Sequence, residues 1–184
     1  MKKTLTLATT LIVITAVLNV INLPIELRFT DAKYNYLFTS LLSFFLPLSI
    51  ILTSFQYNKS YKYALLVGGI LLCFPSFILS FITYNDFKTI YTEGFDSSFK
   101  KIHELNINDI HYRLYRTNGG ATTSYGLILR KEKNILKGIK SVKVILSEYR
   151  ASQGTLTLIN NKTIEVKIDP YKDNEKAKVI QLKL

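Results

Sequence analysis

Three stretches of the chain, residues 4–25, 34–58 and 63–85, contain no charged side chain and run for 22, 25 and 23 residues. Each is dominated by Leu, Ile, Val, Phe and Thr. A helix rises about 1.5 Å per residue, so each run is long enough to cross a hydrocarbon core of about 30 Å. A buried helix of a soluble protein usually turns one charged edge to water. The uncharged length therefore predicts a membrane α plus β protein: three transmembrane helices followed by a small, mostly antiparallel β-domain. The expected units are a membrane unit over 1–84 and a soluble β-domain over 86–184.

Charge follows the same division. Residues 1–84 hold 6 Lys/Arg and 2 Asp/Glu, and residues 85–184 hold 18 and 11. The two net charges, +4 and +7, account for the total of +11. In the second half lysines alternate with acids and apolar residues and do not mass on one stripe, so nucleic acid is not expected as a partner. Anionic head groups or envelope polymers suit a basic domain beside a bilayer better. The single cysteine, Cys73, lies in the third apolar run and cannot form an intramolecular disulfide. The N-terminus starts Met-Lys-Lys and turns apolar like a secretory signal, but no small-x-small cleavage site follows. An uncleaved signal-anchor is expected.

Orientation is read from the short loops. Lys2, Lys3, Lys59 and Lys62 flank one side, against Arg28 and Lys33 on the other. Lys and Arg favour the cytoplasm, which predicts a cytoplasmic N-terminus and an extracytoplasmic C-terminal domain in the bacterial cytoplasmic (inner) membrane. Tyr34, Tyr36, Tyr57, Tyr61, Tyr63, Phe81 and Tyr84 fall where interfacial aromatic belts belong. Within the runs, Pro47 and Pro75 are expected to bend their helices. Gly68, Gly69, Ser76 and Ser80, with Thr39 and Ser43, are expected to let helices approach closely. No ionisable group lies inside a run, so the proton relays and ion paths of transporters are not expected.

Beyond residue 85 the pattern changes. Phe87, Tyr91, Phe95, Phe99 and Ile102 recur at intervals of three or four, which predicts a frayed juxtamembrane segment and a short helix over 97–105. After Asn106 alternation takes over, with β-strand signals near 110–115, 125–130, 141–147, 155–159, 163–168 and 178–182. Asn160-Asn161-Lys162 reads as a hairpin turn, Asn118-Gly119-Gly120 as a second reversal, and Asp169-Pro170 as a strand stop. Five or six strands with one apolar face are expected.

The loop over 117–124, Thr-Asn-Gly-Gly-Ala-Thr-Thr-Ser, combines two glycines with three successive hydroxyl residues. Arg113 and Arg116 stand close to it in sequence. The candidate binding residues are therefore Arg113, Arg116, Asn118, Gly120, Thr122, Thr123 and Ser124, suited to an anion or polymer. The segment 115–133, "YRTNGGATTSYGLILRKEK", resembles a stretch in uncharacterised bacterial envelope proteins whose C-terminal β-domain carries an Asn-Cys-Gly-Ala-Thr-Thr-type turn. Asn118, Gly120, Ala121, Thr122 and Thr123 match that pattern, and Gly119 replaces its Cys. The resemblance covers about twenty residues and implies an extracytoplasmic domain without an assigned activity.

Catalytic signatures are not found in the sequence: no hydrolase carboxylate pair, G-x-S-x-G, phosphate-binding loop or dinucleotide glycines. His103, Asp109 and His111 are the only cluster with metal-ligand character, and Arg113 beside them opposes a cation, so no metal or cofactor is expected. The leading functional expectation is a non-catalytic membrane protein presenting a β-domain to an envelope protein or anionic polymer. The alternative is an immunity or exclusion protein acting through its transmembrane helices. A membrane enzyme acting on lipid or wall precursors stands third, with the 117–124 loop as its only source of polar groups.

Overall fold

The computed structural model describes residues 2–21, 23–118, 124–160, 163–172 and 175–183, and the chain divides into two compact units. The first holds residues 1–23 and 31–94, and the second residues 24–30 and 95–184.

The first unit contains three helices long and apolar enough to cross a membrane. They are α1 (Lys2–Val20), α2 (Ala32–Ser54) and α3 (Lys59–Glu93). The Asp31 side chain accepts from the Lys33 amide and caps the start of α2. Gly94, at φ 78°, ends α3 in the left-handed conformation that glycine adopts without penalty. At 35 residues α3 is about 52 Å long, well beyond a hydrocarbon core, and its last turns carry Asp86, Lys88 and Glu93.

The helices meet through small and hydroxyl side chains, as the sequence predicts. The buried residues of α2 are Ser40, Ser43, Pro47, Ser49, Thr53 and Ser54. Thr9 on α1 lies 2.7 Å from the Thr53 hydroxyl and donates to the Ser49 carbonyl at 3.2 Å. Ser40 donates to the Ser80 carbonyl of α3 at 2.9 Å. A Cβ at Gly69 would sit 2.6 Å from Ile51, so only glycine permits this α2–α3 approach, whereas nothing lies within 4 Å of the corresponding point at Gly68. Hydroxyls that bond across or back onto a helix satisfy themselves where lipid offers no partner.

Eight antiparallel strands are found among the described residues of the second unit, in two sheets. One sheet has the order β1-β5-β4-β3-β2, built from β1 (Glu26–Phe29), β2 (Phe99–Ile107), β3 (Ile110–Thr117), β4 (Gly126–Leu136) and β5 (Ile139–Tyr149). The other is β6 (Gly154–Asn160), β7 (Thr163–Ile168) and β8 (Lys178–Lys183). Tyr112, Leu114, Leu127 and Leu129 of the larger sheet pack on Leu156, Ile164, Val166 and Ile168 of the smaller one and form the core. At Gly154 an added Cβ would meet the Lys167 carbonyl at 2.8 Å and Leu127 at 3.2 Å, so this glycine lets the layers close together.

Beyond the strand count, eight among the described residues against the five or six expected, and the continuation of α3 as helix to Glu93 where a frayed segment was expected, two features differ from the sequence expectation. The helix expected over 97–105 is instead strand β2, paired antiparallel with β3. A β-bulge between Lys101 and His103 adds one residue to β2, so Ile102 and Leu105 both pack toward the core although three positions apart. That spacing imitates a helical period. The hairpin itself is closed by Asn108 and Asp109, both at positive φ (49° and 61°), the two-residue geometry that matches strand twist. The second difference is β1, which lies in the connection between α1 and α2 and pairs with β5, Leu27 opposite Ser141 and Arg28 opposite Lys140. The Asn161–Lys162 part of the expected hairpin turn lies outside the described residues.

Candidate functional site

Alternation gives the five-stranded sheet two unlike faces. One carries the apolar core. On the other, the register aligns Glu104, Arg113 and Arg130 in one row, then Asn106, His111, Glu132, Val142 and Glu26 in the next. This second face is charged, and its centre is buried.

Glu132 is 1% exposed and accepts three bonds: from Arg113 Nη1 at 2.7 Å, Lys140 Nζ at 2.8 Å and the Tyr115 hydroxyl at 2.9 Å. Glu104 accepts from Lys101 Nζ at 2.5 Å and Arg113 Nε at 2.9 Å, with His111 Nδ1 at 3.0 Å. Arg113 thus joins the two carboxylates. Burial works against the charge of Glu104, but the bonds from Lys101, Arg113 and His111 prevail and hold it at about 2. Glu132 is lowered likewise: burial opposes ionisation, and Lys140, Tyr115 and Arg113 overcome it. Tyr115 is pushed up, first by burial and then by the Glu132 charge beside it. Glu104, Glu132, Arg113 and Lys140 each have an internal partner of opposite charge, which is the condition under which buried charge is tolerated.

Arg130 stands apart on the same face. Its guanidinium carbon lies 4.1 Å from the centre of the Phe99 ring and 5.4 Å from that of Tyr115, and the two rings stack at 4.5 Å. Its Nε is buried with no hydrogen-bond partner, and no carboxylate lies within ion-pair distance of it among the described residues. Burial and then the Arg28 charge lower its pKa.

The residues expected to bind from sequence are distributed as follows. Arg113 and Arg116, three apart on β3, project to opposite faces. Arg113 is held by Glu104 and Glu132, while Arg116 lies 5.0 Å above the Tyr125 ring. The Asn118 amide donates to the Ser98 carbonyl at 2.9 Å. Ser124 hydrogen-bonds the Tyr149 hydroxyl, which lowers the pKa of that phenol. Gly120, Thr122 and Thr123 lie outside the described residues. At the same end of the sheet Arg150, at φ 56°, lies 5.8 Å from the Tyr149 ring centre. Of the His103, Asp109 and His111 set, Asp109 occupies the β2–β3 turn and His111 contacts Glu104. Among the described residues no three His, Cys, Asp or Glu side chains are placed to hold a metal ion.

Sequence reasoning did not find Glu104, Glu132, Lys140 or Arg130. Alternation alone does not separate the members of the run Arg130-Lys131-Glu132-Lys133, and only the register of β3, β4 and β5 shows that Arg130 and Glu132 share the face whose centre is buried. No family model, curated protein or solved structure matches this chain.

Proposed function

We propose that the protein is a non-catalytic component of the bacterial cytoplasmic membrane that holds its β-domain outside the membrane and binds an envelope protein or an anionic polymer there. The observation that carries this reading is the sheet end around Thr117 and Gly126. Arg116 stacks on Tyr125 and Arg150 on Tyr149, and among the described residues neither arginine has a carboxylate within ion-pair distance. Tyr125 and Tyr149 are both exposed, Tyr149 at 68%. Exposed rings beside guanidinium groups that have no carboxylate partner among the described residues suit a chain of sugars or phosphates, with rings supplying stacking surface and arginines the charge. The net +7 of residues 85–184 favours the same class of partner. The Lys and Arg balance of the short loops supports the extracytoplasmic placement.

The test is an Arg116→Ala, Arg150→Ala variant, with capture of partners from cross-linked cells. Loss of the captured partner with normal membrane insertion is expected, and unchanged capture refutes the site. Placement is tested separately by alkaline phosphatase and green fluorescent protein fusions after Leu184, with phosphatase activity alone expected.

A further inference from the structure

The charged face of the larger sheet has an unfilled position. Its cations are Lys101, Arg113, Lys140, Arg28 and Arg130, and its carboxylates are Glu26, Glu104 and Glu132. Each carboxylate is already engaged: Glu26 by Arg28 Nε at 2.6 Å, Glu104 by Lys101 and Arg113, and Glu132 by Arg113 and Lys140. Arg130 is the cation left over. It is also the best prepared, because the stacked Phe99 and Tyr115 rings fix its plane. A guanidinium held flat in this way offers a rigid fork of donors that matches a tetrahedral oxyanion.

We infer that Arg130 binds a phosphate group, as carried by an anionic phospholipid head group or a soluble phosphate ester. Charge complementarity selects an anion. A lipid head group and a soluble phosphate ester present the same oxygens to the guanidinium fork, and Arg130 supplies the uncompensated charge. The inference holds for either side of the membrane, so its failure and that of the proposed extracytoplasmic role are separable.

Native mass spectrometry of the full-length protein released from dodecyl maltoside micelles tests it, with dihexanoyl phosphatidylglycerol as the lipid probe, glycerol 3-phosphate as the head group without tails, and octanoate as a phosphate-free anionic amphiphile. One saturable phosphatidylglycerol per chain is expected, weakened at least about tenfold by Arg130→Gln and unchanged by Lys176→Gln, an exposed lysine of the β7–β8 connection. Arg130→Lys, which keeps charge and loses the fork, is expected to fall between. If Arg130→Gln does not fold, as judged by gel filtration, Phe99→Leu, which removes the ring that holds the guanidinium, takes its place with a smaller loss in the same direction. Binding of glycerol 3-phosphate as tight as that of the lipid keeps the phosphate site and assigns it to soluble phosphate esters. Equal occupancy in wild type and folded Arg130→Gln, or octanoate binding as tightly as the lipid, overturns the inference.

Discussion

Glu132 is the charge on which the buried centre of the charged face depends, and replacing it with glutamine isolates that charge. In the native protein one carboxylate oxygen takes Arg113 and Lys140, and the other takes the Tyr115 hydroxyl. A glutamine fits the same outline: its carbonyl replaces the first oxygen, and its amide donates to the Tyr115 hydroxyl, which also accepts. Hydrogen bonding is thus largely kept, and what is lost is the counter-charge. Arg113 retains Glu104, but Lys140, which is 9% exposed, has no other ion-pair partner among the described residues. Breaking a buried pair costs about 3–5 kcal/mol, and the lower end applies because one of the two cations keeps a partner. About 3 kcal/mol corresponds to about a hundredfold. Amides of β3 and β4 around Leu114 and Leu129, at the centre of the core, are therefore expected to exchange about a hundredfold faster in Glu132→Gln by hydrogen-exchange mass spectrometry, with α2 and α3 unchanged. Adding Lys140→Met removes the stranded cation and is expected to restore protection to within about 1 kcal/mol. A loss below about 1 kcal/mol in Glu132→Gln, or no recovery with Lys140→Met, refutes the assignment of Glu132 as the buried counter-ion.

Acid should loosen the same unit. Glu104 is held at about 2, below its unfolded value, and Glu132 is lowered too, so their contribution is complete above about pH 5 and is lost as pH falls toward 2; exchange of β2–β4 amides measured across that range is expected to accelerate, and flat protection would contradict it. In the helical unit, Gly69→Ala is expected to lower thermal stability in micelles by about 1–3 kcal/mol because its Cβ meets Ile51, while Gly68→Ala, facing open space, is neutral or slightly stabilising; equal effects would refute the α2–α3 contact. With Cys73 replaced by Ser, cysteines at Leu27 and Ser141 are expected to form a disulfide under mild oxidation, since facing residues of antiparallel strands lie within disulfide range; a failure to cross-link would remove β1 from the sheet.

What the sequence makes legible follows from how local each signal is. A helix long and apolar enough to cross lipid carries its evidence in its own residues, so 34–58 announced α2 and the small residues at 69, 76 and 80 announced the surface of α3 that packs closely. Strands β3 and β7 likewise alternate within themselves. The β2 strand was hidden because a bulge restores a spacing of three between Ile102 and Leu105, and bulges are set by the partner strand. The four residues Glu-Leu-Arg-Phe of β1 are too few to show a period, and their pairing partner lies more than a hundred positions away. The buried network was hidden for a further reason: Lys and Glu on a strand read as a wet face, and only tertiary register reveals that Glu104, Arg113, Glu132 and Lys140 neutralise one another there.

The position of β1 also constrains how the chain crosses a bilayer. Glu26–Phe29 is hydrogen-bonded to β5, so the connection after α1 and the segment from Phe99 onward share one aqueous compartment. An even number of crossings must separate them, and α2 and α3 are the two long apolar helices between Phe29 and Phe99. These two helices therefore cross together or not at all; a chain in which one of them lay flat on the surface could not close the sheet. The choice of side then rests on Lys2 and Lys3 at the start of α1 and on Lys59 and Lys62 at the start of α3, all of which a three-span chain places opposite β1. It follows that a label reacting with a cysteine at Leu27 and a reporter fused after Leu184 must report the same compartment. Opposite answers from the two sites would break the sheet and the three-span arrangement at once, whereas agreement on either side would leave both intact.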